Sequence, residues 1–464
     1  MKVLEVIHGY PPLYNAGSEV YTQIISRGLI QAGHDVSVFT REEDPYRPDF
    51  DIRQEHDSQD PSIKVYLANH ARSRDRYRHT GMDDAFSKVL SNENPDVVHI
   101  GHLNHLSTGI PEIAYRAGAL VVYTFHDFWL ACPRGQFMQM GLGESEVWKV
   151  CPGQGNHICA VHCMSRMWGG VPDKVDEDLS QWMMWIENRM QEIRHQMEFI
   201  DLFIAPSNHI RERMIAELDI DPQKVVFEAY GFDTSRLSGR QRVRGKNLVF
   251  GYIGRISPSK GVDILLKAFG KTTGNARLFI CGRETYPDTP ALKRIEKGLA
   301  QNRRDRIEWL PEYRNEDIVT SVFNNVDVIV VPSVWDENSP LVIHEAQQAG
   351  IPVITADHGG MGELVRHDVN GLLFRHRDVD DLARRLQDAI NDPECIISLG
   401  KRGYLYSDDG CIPDIKGHVA RMTGLFEEHL AQKKDAMVNP ELKHTYGGES
   451  DGYKSCPRSV ANHI

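Results

Sequence analysis

Val331-Pro332-Ser333-Val334-Trp335-Asp336-Glu337-Asn338-Ser339-Pro340-Leu341-Val342-Ile343-His344-Glu345-Ala346 runs from an apolar strand through a polar loop into a helix. Ser339 is a good N-cap residue and Pro340 suits a first helical turn, which predicts Glu337 in the loop and Glu345 inside the helix. Open α/β sheets bind ligands beyond the carboxyl ends of their strands, so both carboxylates are placed to face a cleft there. Ionised carboxylates accept hydrogen bonds from vicinal hydroxyls, the chemistry of ribose recognition. The alternative is that two acidic residues near a helix start merely favour its dipole.

Upstream, Gly251-Tyr252-Ile253-Gly254-Arg255-Ile256-Ser257-Pro258-Ser259-Lys260-Gly261 sets Arg255 just past a strand and Lys260 before an amphipathic helix from Val262 to Phe269. Two cations beside a helix N-terminus would neutralise a diphosphate and help it leave. A pair of solvated surface charges is the alternative. Downstream, Ile354 to Val365 holds the glycine-rich turn Gly359-Gly360-Met361-Gly362 opening another helix, although glycines also serve as plain turn punctuation.

Apolar β-branched runs recur at Lys2 to His8, Asp35 to Thr40, Lys64 to Leu67, Asp96 to Ile100, Leu120 to Thr124, Leu202 to Ala205 and Val225 to Glu228. They recur again at Leu248 to Ile253, Arg277 to Cys281, Ile307 to Leu310, Asp327 to Val331, Pro352 to Ala356 and Leu372 to Phe374. Amphipathic stretches separate them, which predicts two parallel sheets covered by helices. A chain of 464 residues is too long for one core. We expect an N-terminal domain over 1–236, a linker over 237–247 and a second domain over 248–412. A helix over 413–432 and a disordered tail over 433–464 complete the expected organisation.

Taken together, the string resembles the retaining glycosyltransferases of family 4, whose GT-B fold faces two Rossmann-like domains across a cleft. The resemblance runs from Val3 to about Leu430 and implies a C-terminal helix crossing back to the N-terminal domain. Glu337 and Glu345 match the two glutamates of the family's E-x7-E motif, and Arg255 and Lys260 match its diphosphate-binding pair. By position, Glu345 is expected on the donor ribose, and Glu337 on the sugar together with the backbone of Asn338, Ser339, Pro340 and Leu341. Gly282-Arg283 and Leu310-Pro311 match loops that frame the base. The loop holding Ala16-Gly17 matches a family glycine loop that usually has two glycines, with Gly17 near the donor. His126, in Tyr123-Thr124-Phe125-His126-Asp127, matches a histidine contacting the transferred sugar, although a lone histidine is more often structural.

Membership implies transfer with retention, through a same-face reaction in which the leaving phosphate helps deprotonate the acceptor. The donor is expected to be a UDP- or GDP-sugar, and the acceptor a glycan, a glycolipid or a small molecule. No catalytic metal is expected, since Arg255 and Lys260 supply the cations. Other readings are an epimerase or phosphorylase on the same scaffold, or a non-catalytic nucleotide-sugar-binding subunit. No pyridoxal-phosphate lysine motif is evident for a phosphorylase.

Composition narrows the classes further. A net charge of -12 argues against general nucleic-acid binding. No apolar run reaches the roughly 18 residues of a membrane span, and Met1 to His8 lacks a signal peptide's apolar region, so a cytoplasmic location is expected. The basic run His70 to His79 reads either as a solvated loop or as a dock for an anionic lipid or membrane inner face. Cys132, Cys151, Cys159 and Cys163 fall in an insertion over about 132–175, where a structural zinc, an iron-sulfur cluster and reduced thiols are all open readings.

Overall fold

The computed structural model describes residues 1–71, 77–141, 148–167, 175–285 and 288–438. Its strands are β1 Lys2–Val6, β2 Asp35–Glu42, β3 Ile52–His56, β4 Lys64–Asn69, β5 Val97–Ile100, β6 Leu120–Thr124, β7 Met138–Gln139, β8 Lys149–Val150, β9 Leu202–Ala205 and β10 Val225–Phe227. They continue with β11 Leu248–Ile253, β12 Ala276–Cys281, β13 Ile307–Leu310, β14 Val328–Val331, β15 Val353–Ala356 and β16 Gly371–Phe374.

The first sheet has the order β10-β9-β6-β5-β1-β2-β4-β3, and the second β13-β12-β11-β14-β15-β16. Each pairing is parallel except that of edge strand β3 with β4. Strands such as β6 and β14 are buried along their whole length, because helices cover both faces and the apolar run has no solvent side. Two features went unread in the sequence. β3 is a half-exposed edge of Ile-Arg-Gln-Glu-His with no apolar face, and β7 and β8 form a short antiparallel hairpin inside the cysteine insertion.

Strand order fixes where a ligand can sit. In the first sheet succession runs outward from β1 on one side and from β5 on the other, so the crevice opens beyond those two strand ends. The second sheet has the same reversal between β11 and β14, which places the crevice at Gly254-Arg255 and Pro332-Ser333.

Leu237 to Asn247, read as a linker, is tied down on the second sheet. The Arg240 side chain donates to the Phe323 and Val326 carbonyls at 2.9 and 2.7 Å, and Arg242 grips Asp327 at 2.8 and 2.9 Å. The last helix is longer than expected, spanning Ile415–Val438 and so six residues of the expected tail. Lys433 explains the extension, because its ammonium reaches Asp201 and the Ala119 carbonyl, both at 2.7 Å. The helix crosses back to the first domain, where Tyr21 Oη meets His418 Nε2 at 2.7 Å and Val419 fills the space left by Gly28. The rest of the tail, 439–464, lies outside the described residues. Among the described residues no helix is long and apolar enough to cross a membrane.

Candidate active site

Register brings the donor-side loops together. Ile253 aligns with Cys281 and Cys281 with Leu310, so Arg255, Arg283 and Leu310-Pro311 follow three adjacent strand ends. Arg255 is exposed, and among the described residues its guanidinium has no hydrogen bond or ion pair. Lys260 instead makes a 2.6 Å ion pair with Glu337, whose same oxygen accepts from Ser333 Oγ at 2.7 Å. Gly261 makes this turn feasible, since its φ of 68° is left-handed and a Cβ would stand 2.0 Å from the Pro332 carbonyl oxygen.

The helix carrying Glu345 is Leu341–Gln348, capped by Pro340 rather than by Ser339. Ser339 does not cap because its hydroxyl is held at 2.9 Å by Nε2 of buried His344, a bond that pulls it away from the helix N–H groups. Glu345 is only 6% exposed and pairs with Arg236. Burial raises its pKa, and the guanidinium opposes the rise.

The loop between these carboxylates is fixed from below and from across the cleft. Gly360 N donates to the Glu337 carbonyl at 2.8 Å, and a Cβ on Gly360 would lie 1.3 Å from the Asn338 carbonyl oxygen. Across the cleft, Asn338 Nδ2 donates to the carbonyls of Phe125 and His126 at 2.9 and 3.3 Å, and Asn338 Oδ1 accepts from Ser207 at 2.8 Å. His209 Nε2 reaches Asp336 at 2.7 Å, and the amides of Asn208 and His209 both donate to Glu363.

His126 hangs from the end of β6. Its Nδ1 lies 2.8 Å from Tyr230 Oη, while Nε2 is buried without a protein partner. Burial and the neighbouring His99 and His102 hold its pKa well below the usual 6.5, so the ring is neutral at pH 7. Burial also raises the Tyr230 pKa, so that hydroxyl keeps its proton and, in the tautomer with the ring proton on Nε2, donates a hydrogen bond to Nδ1. The Nε2–H is then a free donor. A Cβ on Gly17 would stand 3.5 Å from Leu341 of the other domain, so this loop packs on the helix that carries Glu345.

Two adjacent family descriptions match the chain, Glycosyltransferase Family 4 over residues 16–236 and Glycosyl transferases group 1 over residues 233–405. The chain belongs to the group 1 glycosyltransferases of family 4. The D-inositol 3-phosphate glycosyltransferase of Mycobacterium marinum is 30% identical over 220 residues, 45% of each chain. That of Rhodococcus opacus is 28% identical over 269 residues, 54% of this chain and 56% of its own. The chain thus spans about half the length of the curated relatives it matches. Among solved structures, sucrose-phosphate synthase from Thermosynechococcus elongatus superposes with a TM-score of 0.59 at 18% identity, over 95% of this chain and 98% of that one. Anabaena HepE in complex with UDP gives 0.59 at 16%, over 94% and 100%. These likenesses establish the GT-B fold.

Several residues at the candidate site of this family member escaped the sequence reading. Arg236 stands 109 residues from Glu345, just ahead of the supposed linker, and nothing local marks it. His8 and His102 meet at the first crevice with ring centroids 4.4 Å apart, His8 Nε2 facing Glu19 at 3.4 Å and His102 Nε2 facing Asp127 at 3.3 Å. Only the strand order reveals that pairing. In the basic run, residues 72–76 lie outside the described ones; His70 and His79 are buried and Arg78 pairs with Glu192 at 3.0 Å. The two histidines are packed, whereas Ala71 and Arg78 are exposed. The four clustered cysteines line a separate enclosure as buried free thiols, and burial pushes Cys159 up to about 12.

Proposed function

We propose that the protein is a retaining hexosyltransferase that moves a sugar from a UDP- or GDP-sugar to an acceptor hydroxyl. Asn338 carries the reading. It directly follows Glu337 and hydrogen-bonds the backbone of His126, which ties the sugar-facing residues of the two domains to one spot in the cleft.

Glu345 accepts from the donor ribose, with Arg236 keeping its carboxylate charged and oriented. Arg283 and Leu310 frame the base. Arg255 and Lys260 take the diphosphate, Lys260 by turning its ammonium from Glu337 toward the phosphate; Gly17 brings its backbone to the same side. Glu337, released, accepts from the sugar hydroxyls alongside the backbone of Asn338 to Leu341, and the neutral His126 donates its Nε2–H to the sugar. As the bond to the anomeric carbon breaks, negative charge grows on the diphosphate beside the two cations, which stabilises the transition state more than the ground state. The departing phosphate takes the acceptor's proton on the same face, giving retention. The names of the mycobacterial and rhodococcal relatives put D-inositol 3-phosphate first among small acceptors to try. Glycans and lipid-linked sugars follow, the last reached by peripheral membrane contact.

The test is a mass-spectrometric screen of nucleotide sugars against mixed acceptors, with the product's anomeric configuration read by NMR. We expect release of a nucleoside diphosphate together with a retained glycoside. Glu345→Ala should weaken nucleotide binding by about tenfold or more, since hydrogen bonds to a charged partner are worth about 1.5–3 kcal/mol. Solvent deuterium entering the sugar without transfer would make it an epimerase instead, and undiminished nucleotide binding by Glu345→Ala would remove the site assignment.

A further inference from the structure

Cys132, Cys151, Cys159 and Cys163 arrive at one place from four separate pieces of local structure. Cys132 ends a turn after β6, Cys151 follows β8, Cys159 closes the helix Asn156–Cys159, and Cys163 lies in the π-helical turn Ala160–Met164. All four are 6–7% exposed, and together they line a small enclosure completed by Phe137, Met138 and Ile158. We propose that the four thiolates bind one zinc ion, which fastens the insertion and through it the donor loop.

Charge supplies an independent argument. Arg189 is 1% exposed, donates to the carbonyls of Trp129 and Leu130, and has no carboxylate partner among the described residues. The guanidinium also lies over the Trp129 ring, 4.7 Å from its centroid, and bonds the Met190 sulfur, yet no anion among the described residues pairs with its buried charge. Its electrostatic neighbours include Cys132 and Cys159, while Arg134 stands beside Cys163 and Arg213 reaches the Cys151 carbonyl. Arg213 is already paired with Glu217 at 2.9 Å, and four thiolates around Zn²⁺ carry a net charge of about -2, which the remaining Arg189 and Arg134 match. Neutral thiols do not.

The thiols as they stand do not yet point at a common centre. Among the described residues no group of three or more His, Cys, Asp or Glu side chains is arranged to hold a metal ion. Cys151 Sγ donates to the Gly153 carbonyl at 3.1 Å, and Cys163 Sγ faces the Met138 carbonyl at 3.7 Å. A carbonyl attracts a thiol and repels a thiolate, so as zinc binding releases their protons to solvent these two sulfurs turn from their carbonyls into the enclosure.

The insertion buries Phe137, Ala160 and Met164 in the first domain's core, but its own sheet is slight, β7 and β8 having two residues each. It leans on the helix Asn208–Leu218, where Gln154 N donates to Glu217 at 3.0 Å and Arg213 bonds the Pro152 carbonyl at 3.0 Å. That helix begins at the Glu363 and Asp336 contacts of the donor loop.

Metal content of the protein purified without chelator or affinity metal tests this. We expect about one zinc per chain, released stoichiometrically by a mercurial thiol reagent. Cobalt exchanged for the zinc should show the intense thiolate charge-transfer and tetrahedral d–d bands of a four-sulfur site. Cys159→Ser should lose at least nine-tenths of the zinc, while Cys281→Ser, a buried free thiol on β12, keeps it. Should Cys159→Ser fail to fold, the wild-type zinc count and cobalt spectrum still decide. Metal-free protein with four reduced thiols, a disulfide among them, or iron with acid-labile sulfide would each overturn the proposal.

Discussion

Burial raises the Glu345 pKa even though Arg236 opposes the rise, so the folded protein holds this proton more tightly than the unfolded chain does. A carboxyl with a raised folded pKa favours folding at low pH, and that contribution is lost as pH climbs through the folded value. At pH 7 the ionised Glu345 therefore costs stability. Glu345→Gln should melt no lower than wild type at pH 7 and bind nucleotide about tenfold more weakly. Its advantage in Tm should vanish below the ordinary carboxylate value of 4.5, where wild type is protonated too. Calorimetry across pH 4 to 8 measures both, and a mutant much less stable at pH 7 would mean that the pair with Arg236 outweighs the desolvation. A side chain that costs stability in place fits the binding role proposed for Glu345.

At the scale of elements, the donor loop depends on the helix Gly359–Leu364 lying directly beneath it. Gly360→Ala has no room to be absorbed locally, so the Asn338 carbonyl must move by more than an ångström. The overpacking should cost about 1–3 kcal/mol. We expect a folded protein with a lowered Tm and at least tenfold weaker nucleotide-sugar binding by titration calorimetry; wild-type affinity would show that the loop's position is immaterial. The strands that carry these loops were legible because a strand buried on both faces reads as an unbroken apolar run, as at Leu120 to Thr124. β3 was not, since Ile52-Arg53-Gln54-Glu55-His56 owes its conformation to pairing with β4 rather than to its own pattern. Glu337, Glu345, Arg255 and Lys260 stood out because each belongs to a dense local motif that follows a strand. Arg236 and the Ser339–His344 bond did not. The first partner is remote in sequence, and the second turns an apparent cap into a core contact.

For the whole molecule, the two domains meet through a few polar bridges centred on Asn338, Glu363 and Asp336. Asn338→Ala removes the bonds to Phe125, His126 and Ser207 at once and leaves buried acceptors unpaired, a loss of about 1–3 kcal/mol. That shifts an open-closed balance by about tenfold or more toward open. Small-angle scattering of the unliganded protein should show a larger radius of gyration. Turnover should fall more than nucleotide affinity, because all the proposed nucleotide contacts except Gly17 lie in the second domain. Identical scattering and turnover would show that closure does not pass through Asn338.

The last helix lends the molecule an unusual schedule of completion. Tyr21 and His418, which bond across it, are separated by 397 residues. At about 5–20 residues per second, the stretch from the end of the first domain to the start of its covering helix at Ile415 takes about 10–40 s to make. Through that interval the strip around Tyr21 and Gly28 has no cover of its own. The half of the chain born first is therefore the half finished last, and cutting the gene between the domains would leave neither fragment with the surface it has in the whole.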